Sequence, residues 1–337
     1  MPILLKLICL IDPDMVGSSV SIDWVMNYQE TSHRHDVRLN RSMNYAHQFY
    51  ADVVSLDQMA SVACLSKYHF ARLFGDYVGE SPIAFASRIK LERAAYLLAF
   101  CRDWSVSEIA AACSFSSGQT FARGFKHRFG ATPSTFRQEH VFHLGQRAGR
   151  EQLMKALLAL GEHPDTFDSG NIGYSRIRLV RRPAIRVAYI RNLGPYGSGG
   201  DIPRAEQAIK DWALAHDFWQ PEKSVIGVSW DNAHLTPENA CRYDACIPLP
   251  HHQEVPEDVS VQTIPGGFYA TIRANPEVEE IPLIWESFLL LLKDWPRFKS
   301  LGLRVSQPYF EIYSGSDAPG NSTLDLYAPV ALKYGRL

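Results

Sequence analysis

The chain has 337 residues, of which 46% are apolar, and this length predicts two or three domains with hydrophobic cores. Its 34 basic and 36 acidic residues nearly balance, so net charge alone gives only weak support for binding to nucleic acid. No run is apolar and long enough to cross a membrane, and the six cysteines lack metal or redox spacing, so we expect reduced thiols in a cytoplasmic protein without metal or cofactor.

The chain begins with MPILLKLICLI, which resembles a short signal-peptide core but has no convincing cleavage site. We interpret residues 1–40 as an N-terminal extension that is either disordered or the product of a mis-assigned start. Met26 and Met43 are alternative starts. The first domain is therefore predicted over residues 41–140.

The start of this domain carries the signals of a helix-turn-helix unit. Ser55 and Gln58 form a capping box at the beginning of one helix. Ser66 can cap a second helix, which has an apolar stripe and ends at Gly79. Pro82 then occupies the first position of another helix.

The same signals recur 51 residues later, where FARLFGDYVGESP at residues 70–82 is matched by FARGFKHRFGATP at residues 121–133. Ser105 and Glu108 form the second capping box, and Gly130 ends the second recognition helix. These repeats predict two tandem helix-turn-helix units in an all-α domain.

One helix, from Pro82 to about Phe100, is predicted between the two units, with a length of roughly 28 Å. Such a rod can hold two recognition helices about 34 Å apart, one turn of B-DNA. Residues 41–140 carry 11 basic and 8 acidic residues, a modest excess that is concentrated around Arg123, Lys126, His127 and Arg128. The duplication indicates DNA binding; a plain helical bundle is the alternative.

Residues 141–171 are predicted to be a linker, and residues 172–337 a strand-rich domain that repeats a β-α-β-β plan. We expect an α+β domain with a curved antiparallel sheet, helices on one face, and a cleft on the other face between the two halves. The predicted strands are 185–190, 225–230 and 242–248 in the first half and 268–273, 309–313 and 324–329 in the second, with helices at about 203–216 and 282–295.

The strand at 309–313 gives the cleft its chemistry. Alternation places Tyr309, Glu311 and Tyr313 on one face, which we expect to line the cleft, and Phe310 and Ile312 on the other, which we expect to pack on the helices. A carboxylate among aromatic rings suits a lipophilic cation. Further walls of the cleft are predicted from Trp230, Tyr269, Trp285 and Trp295. The alternatives are a solvated Glu311 and tryptophans in the core.

Residues from about 42 to 140 resemble the AraC/XylS-type DNA-binding domain, on the basis of the Gly-x-Ser-Pro turn at 79–82, the Gly-x-Thr-Pro turn at 130–133 and Ile109-Ala110. This resemblance implies that two recognition helices read adjacent major-groove segments. The implied contact residues are Ser66, Lys67, Tyr68, His69 and Arg72 on the first helix and Ser116, Ser117, Gln119, Thr120, Arg123 and Lys126 on the second.

The chemistry of these side chains fits base recognition, because an arginine suits guanine and Gln119 suits adenine. Ala71 departs from relatives that carry a polar residue at that position, so the first helix is expected to depend on Tyr68 and Arg72.

Residues from about 172 to 337 resemble the GyrI-like small-molecule-binding domain, on the basis of the segment Phe310–Tyr313, the helix with Trp285 and Trp295, and the closing Leu-Tyr-Ala-Pro-Val. The order of the two domains is similar to Rob-like regulators. The resemblance implies that Glu311 is the acidic residue of a pocket for cationic aromatic compounds.

The leading hypothesis is a transcriptional regulator that binds an asymmetric promoter site of about 20 bp as one chain. Its expected partners are double-stranded DNA, RNA polymerase and a small-molecule effector, with no membrane partner, no catalytic residues and an open oligomeric state. One alternative is hydrolysis of small electrophiles in the cleft, with Glu311 as general base, since some GyrI-like members are hydrolases. Another is a ligand-free protein-interaction module. The ligand, the operator and the sign of regulation stay open.

Overall fold

The computed structural model describes residues 35–101, 104–139, 177–197, 200–219, 225–250, 253–274, 281–294, 303–314 and 323–332. The predicted linker, Trp295 and most of the predicted N-terminal extension lie outside these residues.

The N-terminal domain is all-helical in its described part, as the repeats predict. Helix α1 spans residues 35–48 and crosses the predicted domain start at residue 41. Leu39 and Met43 of α1 are buried in the core of the first helix-turn-helix unit. The remaining helices are α2 (Leu56–Val62), α3 (Lys67–Val78), α4 (Pro82–Phe100), α5 (Val106–Ala112), α6 (Gly118–Phe129) and α7 (Pro133–Glu139).

The helix boundaries follow the sequence signals closely. Both predicted capping boxes are formed, one at Ser55 and one at Ser105. Gly79 and Gly130 end α3 and α6 in the left-handed conformation, with φ of 81° and 75°, which glycine adopts without steric cost. Ser66 lies at the predicted N-cap position of α3, but its side chain makes no capping hydrogen bond.

Helix α4 is the shared support of the two units. Phe85 and Ile89 at its beginning pack with Phe70 and Phe74 in the core of the first unit. Its later residues, including Leu98, pack in the core of the second unit. A single helix therefore contributes side chains to the cores of both units and joins them.

The C-terminal domain is an α+β domain whose described strands form one antiparallel sheet of nine strands. The order is β1-β6-β9-β8-β3-β4-β2-β5, with β7 paired to β9. The elements are β1 (Arg178–Arg182), β2 (Ile185–Leu193), α8 (Ile202–Ala215), β3 (Ile226–Ser229), β4 (Arg242–Pro248), β5 (Ser260–Ile264), β6 (Gly267–Ala274), α9 (Ile281–Asp294), β7 (Leu303–Val305), β8 (Tyr309–Ser314) and β9 (Thr323–Leu332).

The predicted duplication is visible in the topology. The unit β2-α8-β3-β4 is repeated by β6-α9-β8-β9, and the two halves join where β3 pairs with β8. Each half carries an arginine–aspartate pair across equivalent strands: Arg191 with Asp244, and Arg273 with Asp325. Strands β1, β5 and β7 were not among the predicted elements.

The predicted position of the cleft is wrong. Phe310 and Ile312 do not pack on helices: they pack with strand residues, among which Tyr269 and Tyr327 lie 5.0 and 4.6 Å from the Phe310 ring centroid. The helices lie on the face of Tyr309, Glu311 and Tyr313, and the cleft opens between α8 and α9 on that same face. Alternation identifies the residues that share a face, but it does not say which face the helices cover.

Candidate functional site

The first recognition helix, α3, presents a solvent-facing row of the predicted DNA-contact residues. Ser66, Lys67, Tyr68 and Arg72 are exposed, and Tyr68 is 89% accessible, which is unusual for a large aromatic side chain. Lys67 pairs with Asp57 at 2.7 Å. His69 is half-buried, with its ring centroid 5.8 Å from that of His35.

The second recognition helix, α6, is exposed along the corresponding face. All six of its predicted contact residues are accessible: Ser116, Ser117, Gln119, Thr120, Arg123 and Lys126. The Ser117 hydroxyl accepts a hydrogen bond from the Thr120 backbone N–H at 3.0 Å and thereby caps the helix. This capping bond positions the end of the helix. It also occupies one acceptor site of the Ser117 hydroxyl, which is then not available to DNA.

Arg128 is the exception among the basic residues near the second recognition helix. Its Nη2 donates to Oε1 of Glu92 at 3.0 Å and to the carbonyl of Leu235 at 2.8 Å. The arginine therefore joins α6 to α4 and to the C-terminal domain, and it is half-buried, unlike the exposed Arg123 and Lys126.

The cleft between α8 and α9 has a volume of 500 Å³, within the range of small-molecule sites. Predicted residues Tyr309, Glu311, Tyr313 and Trp285 all line it. Trp230 instead lines a second cavity and donates to Asp244, while Tyr269 packs on the opposite face of the sheet. The structure thus brings together four of the seven predicted ligand residues.

Glu311 is the buried polar centre of the cleft, with 3% of its surface accessible. Its carboxylate accepts hydrogen bonds from the Trp285 indole N–H at 2.6 Å and the Tyr313 hydroxyl at 2.8 Å, and the Tyr243 hydroxyl lies 3.2 Å away. Burial raises the pKa of the Glu311 carboxyl, because the ionised form loses hydration that these donors only partly replace.

Sequence reasoning missed a second carboxylate beside Glu311. The Tyr243 hydroxyl, which donates to Oε1 of Glu206 at 3.0 Å, lies between the two acids. One hydroxyl proton cannot satisfy both carboxylates at once. Burial also raises the pKa of Glu206. The cleft therefore presents two carboxyl groups that a bound cation would stabilise in ionised form. Glu206 lies on α8, so an alternation signal within one strand could not find it.

Gly227 makes room for this arrangement. It is the register partner of Glu311 across β3 and β8. A Cβ at Gly227 would overlap the Tyr243 hydroxyl and come within 2.9 Å of Oε1 of Glu311. Only a residue without a side chain allows the Tyr243 hydroxyl to reach both carboxylates.

The wall segment, residues 229–236, separates the cleft from the N-terminal helical domain. Asp231 and Asn232 line the cleft on one side and the second cavity on the other. The Tyr196 hydroxyl, which also lines the cleft, donates to the Arg242 carbonyl at 2.8 Å and accepts from the Asp231 N–H at 3.2 Å. Thr236 at the end of the segment donates to Glu92 at 2.9 Å. The wall segment, hydrogen-bonded to Tyr196 at one end and to Glu92 at the other, thus connects the cleft to α4.

Asp231 is held in this wall by Arg242, with a 2.7 Å contact between Oδ1 and Nη2. Burial opposes ionisation of this carboxyl, but the ion pair with Arg242 outweighs it and lowers the pKa of Asp231. The described residues contain no group of His, Cys, Asp and Glu that could hold a metal ion. Among the helices in the described ranges, none combines the length and the apolar character of a membrane span.

Comparison with known proteins finds a separate match for each of the two domains. The model of the GyrI-like small molecule binding domain matches residues 175–331, and a helix-turn-helix domain model matches residues 59–139. The chain therefore joins an AraC-type helix-turn-helix domain to a GyrI-like small-molecule-binding domain, which is the architecture of a DNA-binding transcriptional regulator.

Individual relatives match parts of the chain. The SPbeta prophage-derived protein YosT of Bacillus subtilis is 26% identical over 155 residues, 46% of this chain and 99% of YosT. Regulatory protein PocR of Salmonella typhimurium is 31% identical over 105 residues, 31% of this chain and only 34% of PocR. A solved AraC-type regulator from Chromobacterium violaceum is 28% identical with a TM-score of 0.30, covering 31% of this chain and 93% of that one.

Proposed function

We propose that this protein binds promoter DNA through α3 and α6 and adjusts transcription in response to a lipophilic cation in the cleft between α8 and α9. The observation that carries the proposal is the coexistence, on one chain, of two exposed recognition helices with a cleft that holds the buried Glu311 and the half-buried Glu206. The protein acts in the cytoplasm, where it meets its promoter and RNA polymerase.

The DNA-binding part rests on the surface of the two recognition helices. Tyr68 and Arg72 extend from α3, and Gln119 and Arg123 extend from α6, into solvent. Arginine and glutamine can each form two hydrogen bonds with one base in the major groove. Because α4 packs in both cores, the two helices are held as one body, and the site they read is asymmetric.

The ligand part rests on the chemistry of the cleft. Glu311 and Glu206 supply negative charge, and the rings of Trp285, Tyr309 and Tyr313 supply flat apolar walls. A cation replaces the hydration that the buried carboxylates have lost, and the rings attract it further. A neutral ligand of the same shape gains only the apolar contact.

Coupling between ligand and DNA passes through the wall segment. A ligand that moves Asp231 or Tyr196 also moves Thr236, which holds Glu92, and Leu235, which holds Arg128. Glu92 lies on the helix between the two units, and Arg128 lies on the second recognition helix. The ligand therefore biases the position of α6 to the extent that it binds one arrangement more tightly than the other.

The ligand site is tested by calorimetric titration of the full chain with N-methylquinolinium, a flat aromatic cation, against its neutral parent quinoline. We expect saturable binding of the cation, much weaker binding of quinoline, and loss of the difference in Glu311→Gln. Equal binding of both probes would refute the cation site. A change in the DNA affinity on adding N-methylquinolinium would support coupling through the wall segment, and an unchanged affinity would contradict it.

The catalytic alternative is weighed by the same variant. The raised pKa of Glu311 is compatible with a general base, but the Trp285 N–H and the Tyr313 hydroxyl already donate to its carboxylate. We therefore propose a binding role without turnover. If the parent protein hydrolysed small epoxides and Glu311→Gln did not, the hydrolase hypothesis would be supported instead.

A further inference from the structure

A second cavity lies between the two domains and is larger than the cleft. Its volume is 740 Å³. The DNA-binding domain contributes residues of α1 and α4 together with Tyr50, and the C-terminal domain contributes residues of the wall segment, β5 and the segment before β8. Polar contacts join the domains at its edge: Asn44 donates to Tyr189 at 3.0 Å and to Gln262 at 3.1 Å.

Arg93 is the unusual group in this cavity. Its side chain lines the space although the residue is only 8% accessible, and its Nε has no hydrogen-bond partner. The guanidinium lies over the rings of Tyr50 and Tyr96, with centroid distances of 5.6 and 5.3 Å, and hydrogen-bonds to Tyr50. Within the described part of the chain, no salt bridge joins Arg93 to a carboxylate. A buried guanidinium without an anion is costly.

The carboxylates that line the same cavity cannot supply this anion. Glu92 is paired with Arg88 at 3.1 Å and Arg128 at 3.0 Å, and Asp231 is paired with Arg242 at 2.7 Å. Each of these acids is thus paired with other arginines. Arg93 has no carboxylate partner among the residues that line the cavity. His47 adds no negative charge, and burial together with Arg242 lowers its pKa to about 3, so it is a neutral hydrogen-bonding group.

We propose that this interdomain cavity binds a small flat organic carboxylate, whose anionic group pairs with Arg93 and whose ring packs on Tyr50 and Trp230. Both aromatic residues line the cavity, one from each domain. Gln48 offers a further amide donor to the carboxylate. Such a ligand touches both domains and therefore stabilises their docked arrangement. The site is distinct from the cationic cleft, and its existence does not depend on the proposed response to cations.

The test is calorimetric titration of the full chain with 2-naphthoate, using the neutral 2-naphthamide as a matched probe. We expect 2-naphthoate to bind and 2-naphthamide to bind at least tenfold more weakly, since a charge-assisted hydrogen bond contributes about tenfold or more in affinity. Arg93→Gln should remove this preference for the anion. Glu311→Gln, in the other cavity, should leave the affinity for 2-naphthoate unchanged.

A second pair of variants covers the case in which Arg93→Gln does not fold. Gln48 lines the cavity from an exposed position on α1, so either charge is tolerated there. Gln48→Glu should weaken 2-naphthoate binding several-fold, and Gln48→Lys should strengthen it. Absence of saturable binding, equal affinity for the amide, or loss of binding in Glu311→Gln would overturn the proposal.

Discussion

Glu311 is the residue at which ligand binding and stability should respond in opposite directions. The substitution Glu311→Gln keeps the shape of the side chain and removes its charge. The amide oxygen can still accept from Trp285, and the amide N–H can donate to the Tyr313 hydroxyl, because a hydroxyl both donates and accepts. The Trp285 N–H and the Tyr313 hydroxyl can therefore each keep a hydrogen bond to residue 311.

The magnitude follows from the buried charge. The pKa of Glu311 is raised by burial, so the folded state holds the proton more tightly than the unfolded chain does. As the pH rises from the ordinary pKa through the raised one, the parent loses about 1.4 kcal/mol of stability for each unit of the shift. The variant lacks this loss. It should therefore be at least as stable as the parent at pH 8, with a smaller advantage toward pH 4.

Cation binding should fall at the same time. Removal of one partner from a buried charge pair costs about 2–5 kcal/mol, or about 30-fold or more in Kd for N-methylquinolinium. Urea denaturation from pH 4 to pH 8 gives the stability difference, and calorimetry gives the affinity. A variant that is destabilised at pH 8, or that retains the parent's affinity for the cation, would refute this account of Glu311.

Three further predictions concern the second recognition helix, Gly227 in the cleft and Thr236 in the wall segment. Arg123→Ala should weaken specific DNA binding by roughly 1–3 kcal/mol in a gel-shift titration, while Arg204→Ala, an exposed arginine on α8, should have no effect; equal losses would contradict the assignment of α6. Gly227→Ala should displace the Tyr243 hydroxyl and weaken N-methylquinolinium binding by tenfold or more, and an unchanged affinity would show that this hydroxyl is not needed. Thr236→Val removes the hydrogen bond to Glu92 and should reduce the effect of the cation on DNA affinity while the affinity for the cation itself persists; an unchanged effect on DNA would exclude this route.

The helical half of the molecule was predictable because its signals are local. A serine three residues before a glutamine or glutamate, and a glycine at the end of an apolar stripe, act within one turn of the chain. Ser55, Ser105, Gly79 and Gly130 all lie where those signals place them. The role of Arg128 was not predictable, since its partners Glu92 and Leu235 are 36 and 107 residues away.

The cleft was predictable only in part. Period-two alternation correctly grouped Tyr309, Glu311 and Tyr313, but it could not tell that α8 and α9 cover their face of the sheet. Glu206 and Tyr243 reach Glu311 from other elements, and only the packed fold brings them together. Edge strands β1 and β5 are short and polar in places, so they gave no clear alternation.

The most direct test of the account is a hydroxyl-radical footprint of the full chain on a site selected from random DNA. Two exposed recognition helices joined by α4 predict two protected segments about 10 bp apart on one face of the duplex, at one chain per site. Tyr68→Ala should remove one protected segment, and Arg123→Ala the other. A single protected segment, or protection that neither substitution changes, would contradict the account.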